Sequence, residues 1–150
     1  MDLILWRHAD AAEGFPDHGR ELTPKGQRQA EKMAAFLKAH LPADSRILAS
    51  PSVRTRQTVR HLTENFTIAP TLAPGADVNA VLQAARWPEE GGTVLIVGHQ
   101  PTLGMVAGHL MGLDYAALSV RKGSIWWFTR RERAGVQQTV LRVVMSADFL

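Results

Sequence analysis

Two runs of consecutive apolar residues, 3–6 and 94–97, constrain the fold of this chain more than any other feature of its sequence. A strand with one face in water alternates apolar and polar side chains, and neither run alternates. We therefore predict that both runs are central strands of a sheet covered on both faces. Strands of this kind occur mostly in parallel sheets, so the two runs indicate an α/β protein.

Helical segments alternate with the predicted strands. A Thr-Pro pair at 23–24 is typical of an N-cap followed by the first helical residue, and apolar residues recur at helical spacing up to residue 40. A short strand over 46–49 leads into a Ser-Pro pair at 50–51. This second pair predicts another helix, which reaches about residue 64.

The remaining segments complete the predicted fold. Asp77 is placed to cap a short helix up to residue 85, and a helix over 101–111 follows the second apolar run. Segments 124–129 and 137–145 are rich in β-formers and predict a closing hairpin. The chain is therefore predicted to be a three-layer α/β/α sandwich with a mostly parallel central sheet, in a single domain over residues 1–150.

The composition excludes several classes of protein. Apolar residues make up 45% and charged residues 21% of the chain, as in globular proteins and unlike disordered ones. No apolar run is long enough to cross a membrane and no export signal is visible, so we expect a cytoplasmic monomer. The lack of cysteine excludes disulfides and thiol redox chemistry.

The charge pattern favours a small anionic ligand over nucleic acid. The net charge is +3, but the cations are scattered and mostly alternate with acids. Arginines outnumber lysines, and the guanidinium group suits bidentate contacts with a compact oxyanion. The aromatic run at 126–128 lies on a predicted strand that alternates faces, so we assign it to the core rather than to base stacking.

Each apolar run is followed, two residues after its end, by a histidine. These histidines are His8 after the first run and His99 after the second. Ligands of open α/β sheets bind beyond the carboxyl ends of the strands, where both residues are predicted to lie. A transferred phosphoryl group carries charge on oxygens that arginines can bind without a metal. We therefore predict His8 as a nucleophile, with Arg7 beside it, and expect its second ring nitrogen to donate to a nearby backbone carbonyl.

Two further arginines are candidates for the same site. Arg54 is predicted about one turn inside the second helix, where it can point toward the strand ends. Arg20 lies in the loop ahead of the first helix and can close the site from another side. A solvated loop arginine is also common, so the support for Arg20 is weaker than that for Arg54.

Three motifs carry a resemblance to a known family: Arg7-His8-Ala9, Ser50-Pro51-x-x-Arg54-x-x-Gln57-Thr58 and Gly98-His99-Gln100-Pro101. In this order and at these predicted positions they resemble the histidine phosphatase superfamily, also called phosphoglycerate-mutase-like. Looser similarity to the SixA-type phosphohistidine phosphatases of that superfamily lies in Asp10-Ala11, Arg20-x-Leu22-Thr23-x-x-Gly26 and Gly75-x-Asp77-Val78. The resemblance covers nearly the whole chain.

The resemblance implies a cofactor-independent phosphatase that acts on a phosphorylated histidine of a partner protein. It implies that His8 is the phosphorylated nucleophile. It further implies that the phosphoryl oxygens are bound by Arg7, Arg54 and His99, with help from Arg20. No metal and no organic cofactor are implied.

Two departures from the family pattern bear on activity. Ala9 stands where glycine usually follows the histidine, so a methyl group must fit beside the site. The length of the chain also leaves no room for the inserted segment that carries a proton-donating acid in larger members. Asp77, Glu89 and Glu90 are the available substitutes, and a phosphohistidine leaving group needs such an acid less than an alkoxide does.

Other functions stay open at this point. A metal site of His8, His99 and Asp10 is disfavoured, because the histidines lack the spacing of known metal motifs. The same site can serve a small phosphomonoesterase, or a phosphate-binding or phosphoprotein-binding module without turnover. Mutase activity is less favoured, because the short loops leave little material for a second pocket.

Overall fold

The computed structural model describes residues 1–113 and 118–150, and within them the chain forms a six-stranded sheet. The strands are β1 (Asp2–Arg7), β2 (Arg46–Ala49), β3 (Thr67–Ile68), β4 (Thr93–Gly98), β5 (Ile125–Arg133) and β6 (Val136–Met145). Their order across the sheet is β3-β2-β4-β1-β5-β6. The first four strands are parallel, and β5 and β6 are antiparallel to their neighbours.

Helices cover both faces of the sheet. They are α1 (Pro24–His40), α2 (Val53–Arg60), α3 (Val78–Ala85) and α4 (Thr102–Leu110). Leu3 and Leu5 of β1 pack with residues of α3 and α4, whereas Ile4 and Trp6 pack with residues of α1 and α2. The predicted α/β/α sandwich with a mostly parallel sheet is confirmed. None of the described helices is both long and apolar enough to cross a membrane.

Two predicted N-caps are confirmed. The Thr23 hydroxyl accepts a hydrogen bond of 3.0 Å from the Gly26 amide and thereby starts α1. The Asp77 carboxylate accepts one of 2.8 Å from the Ala80 amide at the start of α3. Both caps satisfy amides that have no partner inside the helix, so local sequence is enough to predict them.

The prediction for the second helix was wrong at both ends. It ran from residues 50–51 to about 64, whereas α2 begins at Val53 and ends at Arg60. The Thr55 hydroxyl lies 2.8 Å from the carbonyl oxygens of both Ser50 and Ser52, and these contacts hold residues 50–52 in a turn ahead of the helix. Strand β3 was missed because its two exposed residues form no apolar pattern.

The closing hairpin is longer than predicted. Residues 130–133, which we expected in the connecting loop, extend β5, and the turn is only Ala134 and Gly135, both with positive φ (51° and 77°). Trp127 and Phe128 are buried, which confirms the core role of the aromatic run. The Trp127 indole also donates a 2.8 Å hydrogen bond to Asp2, the first residue of β1.

Candidate active site

The carboxyl ends of β1 and β4 lie side by side, because these strands are neighbours in the sheet. Arg7 is in register with Gly98, and the His8 amide donates a 3.1 Å hydrogen bond to the Gly98 carbonyl. The next residue on each chain segment is a histidine, and the ring centroids of His8 and His99 are 5.4 Å apart. The sheet thus brings together two residues that are far apart in sequence.

The His8 ring is buried and held in one orientation. Its Nδ1 donates a 2.7 Å hydrogen bond to the Ala9 carbonyl, so the proton of the neutral ring is on Nδ1 and Nε2 carries a free electron pair. Burial is the main cause that lowers the pKa of His8 to about 4. The bond to Ala9 opposes this shift, and the charges of Arg54 and Arg7 add to it. The imidazole is therefore uncharged at neutral pH.

His99 is equally constrained. Its Nε2 lies 2.7 Å from the Ser50 hydroxyl, and its buried Nδ1 has no hydrogen-bond partner among the described residues. Burial, and then the nearby His8 ring, lower the pKa of His99 to about 3. A neutral ring that accepts from Ser50 at Nε2 has its proton on Nδ1, which makes that nitrogen a free donor.

Two guanidinium groups, that of the buried Arg54 and that of the half-buried Arg7, flank the histidines. Arg54, the second residue of α2, is 4% exposed and donates to Asp17 through both terminal nitrogens. Arg7 donates to the Val120 carbonyl at 3.0 Å. Burial and the charge of Arg54 lower the pKa of Arg7, although both guanidinium groups stay charged. The Nε atoms of both arginines are buried and have no partner in the part of the chain that the structure describes.

Asp17 is a residue of this region that the sequence analysis missed. Its carboxylate lies 3.1 Å from a terminal nitrogen of Arg54 and 3.2 Å from one of Arg20, so it bridges the two arginines. The hydrogen bond from Arg20 is the largest cause of the lowered pKa of Asp17, and the bond from Arg54 adds to it. The three-residue spacing of Asp17 and Arg20 was the only available signal in the sequence.

Arg20 lies in the loop just ahead of α1. Its Nε donates a 2.8 Å hydrogen bond to the Ala12 carbonyl. This bond joins the beginning and the end of the loop between β1 and α1. Its positive charge is close enough to lower the pKa of His8. Through Asp17 this loop also contacts α2, so the loop covers one side of the site.

The methyl group of Ala9 fits without a clash. Ala9 is fully buried in a small apolar cluster with Ala11, Leu22 and Ala30. Its amide donates a 3.0 Å hydrogen bond to the Thr58 hydroxyl of α2, and its carbonyl holds the His8 ring. The residue in the usual glycine position therefore keeps both backbone contacts that orient the histidine.

Two of the candidate acids named from the sequence, Glu89 and Glu90, do not lie at the strand ends that carry His8 and His99. Glu89 and Glu90 precede the first residue of β4 and so lie toward the opposite edge of the sheet, which is a correction to the sequence analysis. Asp77 is engaged as the cap of α3. The Asp10 carboxylate accepts from Thr23 at 2.7 Å and from Lys122 at 3.0 Å.

The site is suited to a compact oxyanion. Three buried nitrogen atoms, on Arg7, Arg54 and His99, have no partner in the described chain, although buried donors are nearly always paired. The charges of Arg7 and Arg54 act on both histidine rings, so these donors lie around the strand ends where an oxyanion would bind. Within residues 1–113 and 118–150 no group of three or more histidine or carboxylate side chains is arranged to hold a metal ion.

A mostly parallel α/β sheet that carries an uncharged histidine among arginines at its strand ends defines the class of histidine-based phosphatases. A family model described as the histidine phosphatase superfamily (branch 1) matches residues 3–77. The chain belongs to this superfamily, and within it the chain is of the SixA type.

The relatives support this assignment over most of the chain. The phosphohistidine phosphatase SixA of Escherichia coli is 33% identical over an alignment of 121 residues that covers 73% of this chain and 74% of that protein. An uncharacterised protein of Mycobacterium tuberculosis is 35% identical over an alignment of 117 residues, with the same coverage of 73% and 74%. A solved structure of SixA in complex with tungstate superposes with a TM-score of 0.80 at 26% identity and covers 99% of both chains.

Proposed function

We propose that this protein hydrolyses N-phosphohistidine on a partner protein, with His8 as the nucleophile. The observation that carries the proposal is the hydrogen bond from Nδ1 of His8 to the Ala9 carbonyl. It leaves the electron pair of Nε2 free, beside three buried donors that have no partner in the described chain. A neutral, oriented imidazole among cationic donors is what attack on phosphorus requires.

The reaction takes two displacements. First, Nε2 of His8 attacks the phosphorus, the bond between phosphorus and the substrate imidazole breaks, and the leaving ring keeps the electron pair and takes up a proton from solvent. Second, a water molecule attacks the phosphorus, the bond to His8 breaks with its electron pair returning to Nε2, and inorganic phosphate leaves while the surplus proton of the water passes to solvent. In both steps Arg7, Arg54 and the Nδ1 proton of His99 bind the charged equatorial oxygens.

Arg20 and Asp17 have supporting roles in this proposal. Arg20 adds positive charge at the open side of the site, and the Asp17 carboxylate keeps the guanidinium groups of Arg20 and Arg54 close together. Because Arg54 reaches Asp17 through its terminal nitrogens, its Nε is left to face a phosphoryl oxygen.

The chemistry of the leaving group supports phosphohistidine over an alkyl phosphate. Two carboxylates in the loop between β1 and α1, those of Asp10 and Asp17, have lowered pKa values, chiefly because of hydrogen bonds from Thr23 and Arg20 respectively. Neither is a proton donor at neutral pH, and an alkoxide leaves poorly without one. A ring nitrogen departs more easily. The SixA relative of Escherichia coli is itself a phosphohistidine phosphatase.

The test compares substrates and traps the intermediate. We expect rapid hydrolysis of a histidine-phosphorylated protein in the presence of a chelator, and slow hydrolysis of a panel of sugar phosphates and nucleotides. Acid-labile phosphate should appear on the wild-type protein. It should be absent from His8→Ala and present in His109→Ala, a matched control at an exposed residue of α4.

The possible outcomes separate the candidate functions. Faster hydrolysis of the small esters would assign the same site to a phosphomonoesterase. Phosphate binding without label or turnover would indicate a binding module. Full activity of His8→Ala would refute the proposed nucleophile.

A further inference from the structure

We propose that a basic surface beside the site binds an acidic face of the partner protein. The basic surface consists of Lys25, Arg28, Lys32, Arg121 and Lys122, all of which are exposed. It lies on α1 and on the turn that precedes β5. This inference rests on the proposed function, since it concerns how a phosphorylated protein, rather than a small molecule, reaches His8.

The cations of α1 form one outward stripe. Lys25, Arg28 and Lys32 are three and four residues apart, so they lie on one side of the helix. The opposite side is buried against the sheet and includes Met33 and Leu37. This packing fixes the orientation of α1. The three cations line a shallow cavity of about 170 Å³ together with Ala147 and Asp148.

The stripe is continuous with the strand end that carries His8. Gln29 of α1 accepts a 2.9 Å hydrogen bond from the Asp10 amide. Gln29 also lies against Gly123, where an added Cβ would be 3.2 Å from the Cβ of Gln29. The Gly123 amide donates to the carbonyls of Arg7 and His8, at 3.1 Å each. Gln29 and Gly123 therefore connect the helix that carries the basic surface to the backbone of the strand end that carries His8.

Most of the charge on this surface is not neutralised within the protein. Arg121 lies 3.6 Å from Asp148, and Lys122 lies 3.0 Å from Asp10. The three cations of α1 form no ion pair with the described carboxylates. Three adjacent positive charges repel one another, and an anionic surface laid over them relieves that repulsion.

A folded partner reaches this surface, whereas a small phosphoramidate does not. A specific protein interface covers about 800 Å² on each side, so a protein held with its phosphohistidine at His8 extends over the neighbouring helix. Complementary charge raises the rate of encounter and fixes orientation over roughly one Debye length, about 8 Å at physiological salt. The basic surface thus selects among phosphorylated proteins without contact with the reacting group.

The experiment uses three N-phosphohistidine peptides of equal length, flanked by glutamate, glutamine or lysine. At low salt we expect kcat/KM for the glutamate peptide to exceed that for the glutamine peptide about tenfold, mainly through KM. The triple variant Lys25→Gln, Arg28→Gln, Lys32→Gln should lose this preference, and so should the wild type in 0.5 M salt, a concentration chosen as roughly three times physiological. Hydrolysis of free phosphoramidate should not change.

A matched control removes the same number of charges from the far edge of the sheet. Arg130, Arg131 and Arg133 lie beyond the amino end of β1, because β5 is antiparallel to it. Their triple replacement by Gln should leave the preference intact. Charge reversal on α1, by Lys25→Glu, Arg28→Glu and Lys32→Glu, should make the lysine peptide the better substrate.

Binding of the unphosphorylated peptides, measured by fluorescence anisotropy, separates this inference from the proposed function. If no peptide is hydrolysed but the glutamate peptide binds more tightly and the α1 variant loses that binding, the surface is supported and the phosphohistidine substrate is refuted. If all three peptides are hydrolysed and bound equally, or if the far-edge control is as impaired as the α1 variant, the docking surface is refuted and the phosphatase stands.

Discussion

The Ser50 hydroxyl lies 2.7 Å from Nε2 of His99, and this contact decides which nitrogen of that ring faces the site. When the hydroxyl donates, Nε2 accepts and the ring proton is on Nδ1, the buried nitrogen without a partner in the described chain. A neutral His99, whose pKa is about 3, can then still donate to a phosphoryl oxygen. The contact with Ser50 therefore determines whether Nδ1 of His99 can donate a hydrogen bond to the substrate.

Replacement of Ser50 by Ala should lower kcat/KM about tenfold, because the hydrogen bond that fixes the His99 tautomer is lost. Nitrogen-15 NMR of the ring should show the Nε2-protonated form gain population. Ser52→Ala is the matched control, since the Ser52 side chain makes no capping hydrogen bond. An unchanged tautomer in Ser50→Ala would contradict the assignment.

Stability should fall on acidification below about pH 6.5. The folded-state pKa values of His8 and His99 are about 4 and about 3, below the ordinary value of 6.5, so the unfolded chain binds more protons in this range. Stability is therefore full above pH 6.5 and decreases toward pH 4, by up to about 1.4 kcal/mol per pH unit for each histidine. Urea unfolding from pH 7 to pH 5 measures this slope. His8→Ala should have a shallower slope, and an equal slope would show that His8 titrates normally.

Asp17→Asn should tighten the binding of inorganic phosphate several-fold. The substitution removes a negative charge that lies beside Arg54 and Arg20, and the single amide oxygen can still accept a hydrogen bond from one of the two arginines. The half-exposed carboxylate is partly screened, so the expected change is within about 1 kcal/mol. Product inhibition by phosphate measures it. Weaker inhibition in Asp17→Asn would mean that the charge orders the arginines more than it repels the ligand.

Gly26→Ala should destabilise the protein, by about 1–3 kcal/mol or more. A Cβ at this position would lie 1.9 Å from the carbonyl oxygen of Asp10, so the first turn of α1 could not stay against the segment after His8. Chemical denaturation checks the loss of stability. Gly19→Ala is the control, because its Cβ would meet only Pro16, at 3.7 Å. Equal stability of the two variants would argue against the close approach.

Ala9→Gly should retain activity and lose about 1 kcal/mol of stability. The two backbone contacts of Ala9, with His8 and Thr58, need no side chain, whereas the methyl group fills a buried cluster. Ala9→Val should lower activity, because extra volume there displaces the carbonyl that holds the His8 ring. The kinetics and melting temperatures of both variants test this. A large gain of turnover in Ala9→Gly would show that the methyl group obstructs the site.

Local sequence was sufficient for the elements whose signal lies in neighbouring residues. The central strands were visible as unbroken apolar runs, and Thr23 and Asp77 start their helices as their side-chain chemistry predicts. The positions of His8 and His99 at strand ends followed from the same runs, since parallel strands end at one edge of a sheet. These features depend on periodicity and capping, which act over a few residues.

Sequence alone failed where the deciding side-chain contact follows no regular spacing, whether its partner is a few residues away or distant in the chain. The start of α2 depends on a turn held by Thr55, and the role of Asp17 depends on Arg54, which is 37 residues away. Neither contact leaves a periodic pattern, and the helix rule that places proline in the first turn is only a tendency.

The amino-acid sequence by itself was enough to predict the α/β layers, the histidines at the strand ends and the candidate arginines. Each of these predictions depends only on patterns among neighbouring residues. Only the tertiary structure showed that burial lowers the pKa values of His8 and His99, that Nδ1 of His99 has no partner among the described residues, and that Asp17 bridges two arginines. The reason is physical. Proton affinity and hydrogen-bond pairing depend on burial and on groups brought close by packing, and distance in space is not encoded by distance along the chain.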